Sequence, residues 1–238
     1  LFNKTLNYTD NYDNYADYVL ERRMAENQRN IFKLLDSLYD ASYEPAKKEL
    51  KQIEELAREI DGIEILKPWD TLYYSEKLKH KLFDFNDDIL RPYFKSENVI
   101  KGVFEVAHRM YGLTFSELDN VQKYHPEVKV YEVTGENGES IGILYEDLFP
   151  RNTKRAGAWM NELRSQGMSK DGIERPHVCF SCNLTPSTDS TPSLLTMLEV
   201  ETIFHEFGHC LHGLLSNCKY KSIGGTSVYW DFVELPSQ

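Results

Sequence analysis

The residues with the most chemistry in this 238-residue sequence are His205, Glu206 and His209, in the run Thr202-Ile203-Phe204-His205-Glu206-Phe207-Gly208-His209-Cys210-Leu211-His212. An α-helix turns about 100° and rises about 1.5 Å per residue, so residues four apart stand on one face, a turn apart. His205 and His209 are thereby spaced to offer two imidazoles to one small cation, and zinc accepts such nitrogens at about 2.0–2.1 Å. Glu206 is turned off that line but remains beside the cation, where its carboxylate can hold a water rather than bind the metal. This HExxH spacing is that of a zinc peptidase. The competing reading is a non-catalytic helical interaction domain in which the histidines are structural. The surroundings weigh against it: Leu194, Leu195, Leu198, Ile203, Phe204, Phe207, Leu211, Leu214 and Leu215 predict a helix buried on nearly every side. Polar side chains in such a helix need partners, and a metal would supply them.

Two histidines leave a catalytic zinc one protein ligand short of the usual three. A third histidine in the extended pattern HExxHxxGxxH is excluded, because the glycine and histidine positions of that pattern hold His212 and Leu215. Beyond His209 the only acids are Asp231 and Glu234, in Trp230-Asp231-Phe232-Val233-Glu234-Leu235-Pro236-Ser237-Gln238. Glu234 is the better candidate, since a second helix starting near Tyr229 would carry it back across the first. Asp231, a turn away, is a neighbouring acid or one favoured early in a helix by the dipole.

The elements that must position these groups change character along the chain. A helix is expected to begin near Asn14. Ile31, Leu34, Leu35 and Leu38 form a helical stripe within Asn30–Tyr39, and a further helix runs from about Glu44 to Ile60 with Leu50, Ile53, Leu56, Ala57 and Ile60 inward. Asp61-Gly62 ends it. A helix from Thr71 to about Phe83 follows, then one capped by Ser96 that carries Val99, Val103, Phe104 and Ala107. After Gly112 the period becomes two: Val128–Val133 and Ser140–Tyr145 alternate around Thr134-Gly135-Glu136-Asn137-Gly138-Glu139, a β-hairpin. His177–Leu184 reads as another strand. The fold class is α+β, mainly helical with a small sheet: a helical region over residues 1–112, then a zinc-binding region over 113–238. An edge strand beside the metal helix would pair with an extended substrate, and Val178–Leu184 is the candidate.

Composition narrows the partners. Hydrophobic residues at 41% and charged residues at 27% suit a globular chain, and no apolar run is long enough to span a membrane. A net charge of −11 argues against nucleic acid and anionic membranes. Cys179, Cys182, Cys210 and Cys218 are too few for a disulfide framework, and strand geometry turns Cys179 and Cys182 to opposite faces, so the pair cannot chelate. Reduced thiols in a cytoplasmic protein are expected.

At this point the chain resembles the thimet oligopeptidase family of zinc metallopeptidases, which includes neurolysin, oligopeptidase A and peptidyl-dipeptidase. The resemblance rests on Phe204–His209, Asp231–Gln238 and Lys154-Arg155-Ala156-Gly157-Ala158-Trp159-Met160, with weaker support from His125-Pro126-Glu127-Val128 and Cys182-Asn183-Leu184. It implies a zincin-like fold and a channel that admits short peptides, with His205, His209 and Glu234 as zinc ligands and Glu206 as the catalytic carboxylate. Gly224-Gly225-Thr226 matches a glycine-rich segment near the substrate, or is a plain turn, whereas Gly157-Ala158-Trp159 is expected to serve packing. Family members continue well past Gln238, with a histidine and tyrosines that orient substrate. The chain is thus expected to be a fragment, inactive by itself, of a protein that is monomeric at full length.

Overall fold

The computed structural model describes residues 12–84 and 87–238. The chain forms two compact units, Leu1–Asn86 and Asp87–Gln238. The first is a set of helices: α1 (Tyr15–Leu20), α2 (Gln28–Asp61) and α3 (Pro68–Phe83). Asn14 and Asn27 cap α1 and α2 by accepting from the amides of Asp17 and Asn30 at 3.1 and 3.0 Å. Gly62 closes α2 in the left-handed region, φ +65°.

The two helices expected over Asn30–Tyr39 and Glu44–Ile60 are one, running through Pro45. A mid-helix proline costs about 3 kcal/mol, but it ends a helix reliably only with breakers beside it, and none flanks Pro45. Leu50 and Ile60, expected inward, are 43% and 47% exposed, whereas Ile53, Leu56 and Ala57 are buried, Ile53 and Ala57 in a cluster with Tyr74 of α3.

The second unit holds the sheet. The hairpin forms as the turn chemistry requires: β2 (Lys129–Thr134) and β3 (Ser140–Asp147) are antiparallel, and Gly138 turns at φ +79°. Preceding them are α4 (Ser96–Tyr111) and β1 (Thr114–Glu117). Beyond the hairpin come β4 (Trp159–Arg164), the small hairpin β5 (Gly167–Ser169) and β6 (Gly172–Glu174), β7 (His177–Ser181), and the metal-motif helix α5 (Met197–Leu214). The main sheet has the order β1-β2-β3-β7-β4, with β7 parallel to β3 and antiparallel to β4. This overturns the reading of Val178–Leu184 as an edge: β7 is interior, and β4 is the edge beside α5. Ser96 is not a cap but the first helical residue of α4, with Lys95 before it. The Ser96 amide donates to Ser193 O at 3.0 Å. The sequence division at residue 112 and the compact units differ by α4, whose Val99, Ile100, Val103 and Ala107 pack in the sheet's core.

One face of the sheet carries α4 and α5. Leu144, Val178 and Phe180 meet Ile203, Phe207 and Leu214 there, all buried, and each such side chain contributes about 1.5–3 kcal/mol. Cys182 lies in this core with Cys210, while Cys179 turns to the opposite face and meets the Tyr124 hydroxyl at 3.3 Å. All four cysteines are unpaired. The opposite side of α5 is less covered than its composition predicts: Leu198 is 71% and Phe204 41% exposed.

Both ends of α5 are tied. At the start, Thr196 and Glu199 form a reciprocal cap, and Glu199 Oε1 also accepts from the Thr185 amide at 2.6 Å. At the end, Arg175 donates to Leu214 O at 3.1 Å, to Ile141 O at 2.8 Å and to Gln166 Oε1 at 2.9 Å. One guanidinium thus closes the helix onto β3. Replacing Arg175 by Met should lower stability by about 2–3 kcal/mol, because the carbonyls lose charged donors. Arg175→Lys should recover only part, since an ammonium cannot span them. Urea unfolding midpoints test this, and an unchanged midpoint in Arg175→Met would refute the clasp.

Candidate metal centre

Helix α5 sets His205 and His209 one turn apart with ring centroids 4.9 Å from each other and planes at 89°. The segment after Tyr229 then returns over the helix. Its carboxylate Glu234 places Oε2 at 3.2 Å from His205 Nε2 and 3.1 Å from His209 Nε2. Ligand atoms of the three residues lie within 4.8 Å of one another. A tetrahedral zinc with bonds near 2.0–2.1 Å separates its ligands by about 3.3 Å, so this donor set fits such an ion in type and in spacing.

Glu234 arrives on turns rather than on the helix expected from Tyr229. The amides of Phe232 and Val233 both donate to Tyr229 O, at 2.9 and 3.2 Å, and a short 3-10 turn covers Leu235–Ser237. Pro236 lacks the N–H a helix would use there. Ser237 holds Glu234 instead, its hydroxyl donating to Glu234 O at 2.7 Å and standing 3.3 Å from Oε2.

Gly208, inside the motif, permits this approach. A Cβ at that position would stand 2.7 Å from Ser237 Cα and 2.9 Å from Pro236 O. Backbone cannot yield as a side-chain tip can. The sequence held a signal for this in the one small residue among large ones, but not the identity of what crosses it.

Glu206 sits beside the ligands, 7% exposed. Burial raises its pKa, the nearby Glu234 raises it further, and His205 opposes both. Burial lowers the pKa of His209 against the pull of Glu234, which favours the neutral imidazole that ligation needs. Two hollows meet at His205 and Glu206. One, of about 460 Å³, is lined by Trp159, Met160, His209, Thr226 and Glu234 as well. The other, of about 600 Å³, is bounded by Thr202, Phe204 and Ser237. Ala158 borders both, so Ala158 and Trp159, expected to serve packing, form the wall of the site.

Of the glycine-rich segment, Thr226 reaches this wall and the two glycines stand behind it. Gly225 adopts φ +55°, and a Cβ there would meet the Glu162 carboxylate of β4 at 2.0 Å. That carboxylate accepts from the Thr226 amide at 3.1 Å, and Ser216 Oγ accepts from the Gly225 amide at 2.9 Å. Glu162 was missed in the sequence, where one acid in a mixed strand carries no signal. Asn183 was noticed only as part of a motif. Its Nδ2 donates to Arg155 O at 2.9 Å and Gly157 O at 2.6 Å, fixing the turn that leads into β4.

A family model described as Peptidase family M3 matches residues 3–238. Oligopeptidase A of Salmonella typhimurium is 42% identical over 229 residues, covering 95% of this chain and 34% of that protein. The dipeptidyl carboxypeptidase of Escherichia coli is 33% identical over 228 residues, covering 95% of this chain and 33% of that one. A mitochondrial intermediate peptidase of Yarrowia lipolytica is 32% identical over 253 residues, with coverage of 94% and 33%. The chain spans about a third of the length of these relatives.

Gly208→Ala tests the crossing. Alanine in a helix interior normally gains about 1 kcal/mol over glycine. Here the sign should reverse: the variant should be less stable, and amide exchange should rise in the segment from Tyr229 to Gln238. A stabilised variant with unchanged exchange would show that the segment does not rest on the helix.

Proposed function

The chain belongs to peptidase family M3, and from that premise we propose that residues 113–238 form the zinc-binding region of a zincin-like metallopeptidase acting on short oligopeptides. The observation that carries this reading is the meeting of His205 Nε2, His209 Nε2 and Glu234 Oε2 with Glu206 alongside. Those three residues would hold zinc, and zinc when bound supplies Lewis acidity, which makes water a nucleophile near neutral pH and draws charge from the scissile carbonyl. Glu206 takes the proton of the attacking water and passes it to the leaving amine.

The substrate backbone pairs with the free edge of β4, which runs past the metal ligands, in place of the strand at Val178–Leu184. An extended peptide added there meets Trp159 and Met160 on one side and Thr226 and Val233 on the other. Gly225 lets the loop lie against Glu162, and Gly224 lets it lie against Cys218 and Ser216, which together hold Thr226 at the wall.

Both an oligopeptidase and a dipeptidyl carboxypeptidase stand among the relatives, and the residues of this chain are compatible with either specificity. The unpaired thiols support a cytoplasmic location. No helix among the described residues is long and apolar enough to cross a membrane. The full-length protein is a monomer that takes peptides and not nucleic acid.

In the full-length protein Glu206→Gln should retain one zinc per chain and lose about 10²–10⁴ in kcat/KM on a short peptide. His205→Ala should lose the zinc. Full activity in Glu206→Gln would remove the proposed base, and a wild-type protein without zinc would favour the non-catalytic interaction domain. The β4 pairing has its own test: methylating successive backbone amides of a peptide substrate should raise KM at alternate positions, as a strand bonded along one edge requires. A uniform response would place the peptide elsewhere.

A further inference from the structure

Strand β3 ends in two adjacent acids that point to opposite faces of the sheet, and the fold treats them differently. Asp147 is fully partnered: Arg151 donates to both its oxygens at 2.7 and 2.9 Å, Lys154 donates at 2.9 Å and the Tyr124 hydroxyl at 3.0 Å. Glu146, on the helix side, is 4% exposed, and its Oε2 has no hydrogen-bond partner. Tyr131 hydrogen-bonds the carboxyl, yet burial pushes its pKa up to about 7. A buried carboxylate oxygen without a donor is costly, and Lys129 and Tyr131, which favour the charged form, offset that only in part.

Glu146 is among the residues lining a hollow of about 570 Å³ between the first turns of α4 and the sheet. The hollow shares no lining residue with those beside the metal ligands. Its inner wall is aromatic: Phe104 stacks on Phe115 at 4.2 Å, Tyr131 meets Phe104 edge-on at 5.0 Å, and Phe149 adds a further ring. The remaining charges stand at the rim. Lys95 is paired with Glu97 at 2.5 Å, while Lys101, Glu117 and Lys129 are exposed. The one acid buried inside is therefore set among rings and carries a negative charge above about pH 7.

A carboxylate with aromatic walls is the chemistry that recognises an organic cation, through a charged hydrogen bond and cation–π attraction. We propose that this hollow is a second binding site, distinct from the metal centre, for a ligand bearing a primary ammonium on a short apolar stem, with Glu146 as its anchor. Lys129, directly opposite Glu146 across the β2–β3 ladder, is the competitor within the chain.

The probe is n-butylammonium chloride, titrated at mildly alkaline pH against sodium chloride of equal ionic strength. Binding is followed by the backbone amide NMR resonances of residues around the hollow and by the thermal midpoint. Saturable shifts confined to the hollow and a midpoint rise not seen with sodium are expected. Glu146→Leu should weaken binding by about tenfold or more, a loss of about 1.4 kcal/mol. Glu146→Gln, the closer isostere, should weaken it similarly, which guards against a folding defect in the first variant. Lys129→Met should tighten it. Shifts that do not saturate, a Glu146→Gln protein that binds as the wild type does, or loss of binding in Lys129→Met would each overturn the assignment.

Discussion

The crossing of Pro236 and Ser237 over Gly208 is the contact on which the site depends. His205 and His209 are brought together by the helix alone, but their third partner comes from a segment with little regular structure of its own. What fixes Glu234 over the two rings is a backbone-to-backbone approach that any side chain at position 208 would block. The approach converts a sequence separation of 25 residues between His209 and Glu234 into one 3.1 Å contact. Glycine carries a helix-propensity cost of about 1 kcal/mol, which is small beside what a displaced ligand would forfeit.

Such a crossing has meaning only if the helix beneath it is fixed in translation and rotation. The sheet fixes rotation by burying Ile203, Phe207, Cys210 and Leu214, a stripe that leaves His205 and Glu206 at its margin. Glu199 and Arg175 fix the axis from either end, and both work through backbone groups that a helix leaves unsatisfied. The same sheet delivers β4 to the flank of α5. Met160 and Val178 come so close to Gly213 that a Cβ there would stand 2.8 and 3.0 Å from them. Glycines at 208 and 213 thus let α5 be approached closely from two directions, by the segment that carries Glu234 and by the sheet.

What could be read from the sequence was local. The HExxH spacing is a property of one helix turn, and the hairpin at Gly138 a property of a few residues. Both need nothing distant to be recognised. Glu234 meets the two histidines as expected but not on the expected helix, because counting acids depends on composition and helix formation depends on Pro236. Sheet order was not legible. β4 precedes β7 in the chain yet lies outside it, and Trp159-Met160-Asn161-Glu162-Leu163-Arg164 lacks clean alternation because an edge strand is half exposed on both faces. The exposed side of α5 was hidden for a related reason: apolar residues such as Leu198 and Phe204 declare that a surface is apolar, not that this chain covers it.

The acids of the second unit show how burial separates structural from chemical roles. Desolvation acts to raise the pKa of Glu199 and of Asp147, but hydrogen bonds from Thr196 and Thr185, and from Arg151, Lys154 and Tyr124, outweigh it and hold both below the usual range. Glu206 and Glu146 go the other way, each raised chiefly by burial and each opening onto a hollow. The sign is informative. A carboxyl held low in the folded state contributes stability at neutral pH, whereas one raised from 4.5 to about 7, as Glu146 is, withdraws stability as pH climbs through that window. Partners that would reverse the shift are common side chains, and the fold supplies them to Asp147 one residue away. A carboxyl at a concave surface whose partners, here Lys129 and Tyr131, do not reverse the shift is better explained by what can enter the hollow than by what holds the fold together.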